Sequence, residues 1–129
     1  MAFKNCETYQ VDIFVGSKHG YSDITNDELE IYYQQVKQIC QEFCNKIGLG
    51  LTIQKVDFVY TQGAEPGVKI GLINYPRFPK SSMQILVLAF DLATTLRIYC
   101  KQERITVITP NRSYLLEDVD SHAKKTKKG

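Results

Sequence analysis

The sequence predicts an α+β domain in the order βαββαβ, a four-stranded antiparallel sheet carrying both helices on one face. Two observations carry this prediction. A strand–helix–strand unit occurs twice in succession. Each helix shows a capping signal followed by an apolar stripe of 3.6-residue period. The first strand covers Tyr9 to Gly16, with Val11, Ile13 and Val15 alternating toward one side. The first helix runs from about Asn26 to Ile47. Thr25 and Glu28 form its capping box, and Leu29, Tyr32 or Tyr33, Val36, Ile39, Cys40, Phe43 and Ile47 form its stripe. Gly48 and Gly50 supply the left-handed freedom that ends it.

The second strand lies near Leu51 to Tyr60. Its inward set changes from Leu51 and Ile53 to Val56, Phe58 and Tyr60, which predicts a bulge near Lys55. Gly63-Ala64-Glu65-Pro66-Gly67 is the expected hairpin turn into a third strand, Val68 to Tyr75. Pro76 and Pro79 block an earlier helix start, and Ser81 with Gln84 caps the second helix, about Ser82 to Lys101. Leu86, Val87 and Phe90 widen its stripe, which means either deeper burial or a subunit contact. Arg104 to Thr109 is the fourth strand. This is the split βαβ, or ferredoxin-like, arrangement. Its open sheet face carries Gln10, Asp12, Phe14, Gln54, Ile73 and Tyr75, and the apolar members of that set predict a homo-oligomer.

With 129 residues, 43% hydrophobic and 23% charged, the chain reads as one globular domain. Residues 1–8 form an N-terminal extension, 9–116 the ferredoxin-like domain, and 117–129 a basic disordered tail. Lys124, Lys125, Lys127 and Lys128 account for the formal charge of +2, so the body is slightly acidic. Such a body lacks the clustered Lys and Arg that hold a phosphate backbone, and nucleic acid is not an expected partner. No run approaches a membrane span and the N-terminus has no apolar signal core, so a cytoplasmic protein with reduced thiols is expected. Cys40 and Cys44 share the inward helical face and read as packing thiols, with no metal implied.

No nucleophilic triad, P-loop or glycine-rich dinucleotide fingerprint occurs, and no cofactor is expected. The loop Gly16-Ser17-Lys18-His19-Gly20-Tyr21-Ser22 leaves the first strand rich in donors; it reads as a ligand loop or as an ordinary solvated turn. Tyr60 closes the second strand. Glu65 reads as a turn acid or a site acid. Gln102 and Glu103 follow the second helix, where an acid has the wrong sign for the helix dipole, and that local cost favours a functional placement of Glu103.

Three stretches resemble a known group: Ile13-Phe14-Val15-Gly16-Ser17, Tyr60 with Glu65, Val68 and Ile70, and Gln102-Glu103-Arg104-Ile105-Thr106-Val107. They look like the spaced motifs of small, often phage-encoded ferredoxin-like proteins. That group is similar to the PII-like trimers and includes the phage S-adenosylmethionine lyases used against restriction systems. The resemblance implies a homo-oligomer, with a trimer favoured, and an adenine-containing ligand at subunit interfaces. The implied ligand-binding residues are Ser17, Lys18, His19, Tyr60, Glu65, Gln102 and Glu103; in a lyase Tyr60, Glu65 and Glu103 would be catalytic. The hairpin between Tyr60 and Glu65 is shorter than in the lyases, and Pro66-Gly67 departs from their pattern.

Three functions remain open. The first expectation is a counter-defence protein that sequesters a nucleotide-like signal. The second is an S-adenosylmethionine lyase, whose intramolecular displacement needs positioning and no dedicated nucleophile. The third is an interaction module using the open face. Acids beside the ligand favour a cation; Lys18, His19, Lys69, Arg77 and Arg104 favour a polyphosphate.

Overall fold

The structure, a computed structural model, describes residues 1–17 and 25–117. Within them the chain forms β1 (Gln10–Gly16), α1 (Asn26–Ile47), β2 (Leu51–Tyr60), β3 (Gly63–Ile73), α2 (Ser82–Tyr99), β4 (Arg104–Ile108) and β5 (Ser113–Glu117). The five strands make one antiparallel open sheet in the order β2-β3-β1-β4-β5. The sequence-based count of four is therefore corrected: β5 pairs with β4 from Arg104↔Glu117 to Ile108↔Ser113 and becomes one edge. Most of the expected basic tail lies outside the described residues.

Both helices pack against one sheet face, and the core lies between them and the sheet. Val11, Ile13 and Val15 of β1 meet Val68, Ile70 and Leu72 of β3 and Ile105 and Val107 of β4, all essentially inaccessible to water. From above, α1 adds Tyr32, Val36 and Cys40, and α2 adds Ile85, Ala89, Leu92, Ala93 and Leu96. Each large aliphatic side chain so enclosed contributes about 1.5–3 kcal/mol. Against the expectation that no run approaches a membrane span, the α2 segment is long and apolar enough for one by length and composition alone. Ile85, Ala89, Leu92, Ala93 and Leu96 are buried in the core, while Met83, Val87, Ile98 and Tyr99 are exposed.

The caps are as the sequence implies, with one difference in detail. Ser81 and Gln84 form a reciprocal capping box, at 3.2 Å and 2.8 Å. At α1 the Glu28 amide donates to Thr25 Oγ1 at 3.1 Å, while the Thr25 hydroxyl donates to the Glu28 carboxylate in place of the Thr25 amide. Gly48 ends α1 in the left-handed region at φ 75°.

Three local expectations are overturned. No bulge interrupts β2, whose register with β3 runs unbroken from Leu51↔Leu72 to Tyr60↔Gly63. The two apolar sets of β2 instead serve opposite faces. Leu51 and Ile53 pack toward α1, while Phe58 lies on the open face against Phe14, ring centroids 6.0 Å apart. On the helix side of this half of β2, Lys55 bridges to Glu30 of α1 at 2.5 Å. The ammonium and Gln34 together hold the Glu30 carboxyl below the usual carboxylate range.

Second, Gly63-Ala64-Glu65-Pro66-Gly67 is not a turn but the start of β3. The hairpin turn is Thr61-Gln62, with Gln62 left-handed at φ 59°. Gly67 is what permits the strand here, because a β-carbon would meet the Phe58 ring at 2.2 Å and the Val15 carbonyl at 2.6 Å. Third, α2 stops at Tyr99, two residues early. The wide stripe of α2 also finds its explanation: Phe90 is covered edge-on by Tyr114 of β5 at 5.1 Å, whereas Val87 stays exposed.

Candidate functional site

The rim where β1 and β2 end and β3 and β4 begin gathers most of the residues singled out above. Residues of alternate parity share a sheet face, so Gln10, Asp12, Phe14 and Gly16 of β1 lie on the open face. Register puts Thr52, Gln54, Val56, Phe58 and Tyr60 of β2, and Gly63, Glu65, Gly67, Lys69 and Gly71 of β3, on that same face. Glu65 is directly opposite Phe58, and Tyr60 is opposite Gly63. Tyr60 and Glu65 are thus diagonal neighbours on one face, within reach of an aromatic side chain. The Tyr60 ring lies across Gly63, where a β-carbon would come within 2.2 Å of it.

Gly16 is the centre of the rim. A β-carbon on it would lie 3.1 Å from Glu65 Oε2 and 3.4 Å from Gln102 Oε1. Two acceptor oxygens from distant parts of the chain therefore meet over one glycine. The Gln102 amide is oriented by its other end, since Nε2 donates to the Cys100 carbonyl at 3.3 Å and turns Oε1 to the rim. The backbone at this point is set by how α2 stops. The Gln102 amide bonds back to the Arg97 carbonyl at 3.0 Å, and Lys101 takes the left-handed conformation at φ 54°, the position usually filled by glycine.

Two further contacts fix the end of β1. Ser17 is buried, and its hydroxyl donates to the Pro66 carbonyl at 2.5 Å. Tyr32, from the second turn of α1, donates its phenolic proton to the Gly16 carbonyl at 2.5 Å. The Cys100 thiol lies against the same hydroxyl. Burial first, then Cys100 and the Glu65 carboxylate, push the Tyr32 phenol well above its ordinary value. Burial likewise raises the Cys100 thiol. It takes Cys40, with Cys44 and Cys100 nearby, up to about 12.

Of the sequence-predicted residues, Glu65, Gln102 and Ser17 come together around Gly16, with Tyr60 beside them. Glu103 stands exposed between Gln102 and β4. The dipole argument for Glu103 also lapses, because α2 ends four residues earlier. Lys18 and His19 lie outside the described residues. Tyr32 was not singled out from sequence, where it read only as one of two tyrosines on an apolar stripe. Among the described residues no cluster of His, Cys, Asp or Glu is placed to hold a metal.

No protein-family model and no curated protein matches the chain. Solved structures do, two phage SAM lyases among them. A phage SAM lyase in complex with S-methyl-5'-thioadenosine aligns with a TM-score of 0.63 at 18% identity, over 92% of this chain and 95% of that one. A phage SAM lyase in its apo state aligns at 0.59 and 19% identity, over 85% and 89%. The chain is similar to these phage SAM lyases in fold along nearly its whole length.

Proposed function

We propose that the protein is an S-adenosylmethionine lyase on a ferredoxin-like frame extended by β5, with its site at the Gly16 rim. The observation that carries this reading is the pair of oxygens, Glu65 Oε2 and Gln102 Oε1, facing one point beside Gly16. A carboxylate and an amide oxygen that converge in this way suit a cation with N–H donors better than a phosphate. S-adenosylmethionine offers two cationic centres, and they behave differently during the reaction. The sulfonium loses its charge at the transition state, whereas the α-ammonium keeps it throughout. A carboxylate that gripped the sulfonium would favour the ground state. On this reading Glu65 and Gln102 accept hydrogen bonds from the ammonium and orient the amino-acid end.

The step itself is an intramolecular displacement. A carboxylate oxygen of the substrate forms a bond to its own γ-carbon, the C–S bond breaks, and its electron pair passes to sulfur. The products are neutral methylthioadenosine and homoserine lactone, which retains the ammonium. No proton moves and no water enters, so the protein contributes conformation and charge placement. Tyr60, beside Glu65, presents an aromatic face suited to the adenine or the sulfonium. Glu103 completes the site from a neighbouring subunit of a cytoplasmic homo-oligomer, with a trimer favoured.

Incubation of the purified protein with S-adenosylmethionine tests this, with methylthioadenosine and homoserine lactone followed by mass spectrometry. Release is expected, with a fall of about a hundredfold or more in Glu65→Gln. A second reading, sequestration of an adenine-containing nucleotide signal, is favoured by Lys69 and Arg104, cations on the same sheet face by register. Tight nucleotide binding without product release would select it. No binding of either ligand would sink both.

A further inference from the structure

We infer that Tyr32 is a positioning residue for the Glu65–Gln102 pair: its hydroxyl holds the Gly16 peptide, over which both oxygens meet. The inference deepens the lyase reading and rests on it for the identity of the ligand. Three observations support it. The first is the gap in the sheet at this point. The β1–β3 ladder continues to Gly16↔Gly67, but the β1–β4 ladder ends at Phe14↔Thr106, two residues short. Beyond Phe14, therefore, β4 does not hold β1. Gln102 approaches Gly16 on this side through its side chain, and the carbonyl of Gly16 is bonded by Tyr32.

The second observation is chemical economy. Tyr32 is 6% exposed, and a buried hydroxyl is costly unless it is bonded. Phenylalanine would supply the same packing on α1 without that cost. The hydroxyl is spent on Gly16, and the Cys100 thiol approaches its oxygen from the end of α2. Cys100 also lends its carbonyl to Gln102 Nε2. One phenol thus links α1, the end of β1 and the residue that orients Gln102. The third is that the Glu65 carboxylate acts electrostatically on Tyr32, so the two groups are close enough to sense each other.

Tyr32 touches no reacting atom on this account, and its test must read coupling to Glu65 as well as loss of function. Titration calorimetry with S-adenosylmethionine and with methylthioadenosine is measured for the full chain, Tyr32→Phe, Glu65→Gln and the double variant. Tyr32→Phe is expected to weaken S-adenosylmethionine about tenfold in the parent and less than about twofold once Glu65 is Gln, a coupling that a purely structural role lacks. Equal losses in both backgrounds, or none in either, would overturn the inference. If the parent binds neither ligand, the lyase reading falls and carbon-13 spectra of the ligand-free protein decide this one. The Gly16 carbonyl and Glu65 carboxyl resonances should both move in Tyr32→Phe; a Glu65 signal that stays in place would refute the positioning role.

Discussion

Gly16 owes its role to the side chain it lacks. Its backbone is not left-handed, so alanine fits the strand conformation and removes some of glycine's entropic cost. The added carbon would nonetheless stand 3.1 Å from the Glu65 carboxylate and 3.4 Å from Gln102. Gly16→Ala is therefore expected to keep or slightly raise the melting temperature while weakening S-adenosylmethionine binding by about five- to tenfold. Calorimetry on one preparation checks both halves. Cys40 makes a prediction of a different kind. Its folded-state value of about 12 lies above the ordinary thiol value of 9.0, so burying the neutral thiol stabilises the fold fully below pH 9. That contribution is lost as pH rises from 9 toward 12, where the unfolded chain ionises first. Alkaline titration by circular dichroism should show destabilisation in that window, reduced in Cys40→Ala. At pH 8 native alkylation should spare the buried Cys40 and Cys100 and modify Cys6, which is only partly buried.

At the scale of elements, the end of α2 and the start of β3 decide the site. Lys101 holds a left-handed backbone without being glycine, a strain of about 1 kcal/mol. Lys101→Gly should raise stability by about 0.5–1 kcal/mol in urea unfolding. Gly67→Ala should do the reverse and cost about 1–3 kcal/mol, because the β-carbon meets a ring and a backbone carbonyl that cannot both give way. The same elements show where sequence reasoning reached its limit. The first helix was legible end to end, since Thr25, the apolar stripe and Gly48 are local signals. Pro66 and Gly67 read as a turn, which hid Glu65 inside a strand. The reason is that Gly67 is required by Phe58 across the sheet and Pro66 is held by Ser17, the residue after β1, neither of them a local effect. The β5 strand was missed for a similar reason: Tyr114 and Leu116 gain their value only by covering Phe90 and the sheet edge.

For the whole molecule, the arrangement of the acids bears on assembly. Glu65 sits on the rim, while Glu103 is exposed just before β4. If a neighbouring subunit's Glu103 completes each site, Glu65→Gln and Glu103→Gln should each be inactive alone. Mixed and reassembled, they should regain about a quarter of the activity or more, because some interfaces then pair two intact acids. Light scattering coupled to size exclusion would give the stoichiometry of the same mixtures, and a monomer without complementation would remove Glu103 from the site.

The sequence by itself determined the αβ order, both helix starts, the inward faces of β1 and α1, and the short set of residues worth examining. These follow from periodicity and capping, which act over a few residues. Only the tertiary structure decided that Glu65 belongs to β3, that Gln102 meets it over Gly16, and that Tyr32 holds that glycine. Each of these is a contact between residues far apart in the chain, and its geometry exists only once the sheet register and the end of α2 bring them to one rim.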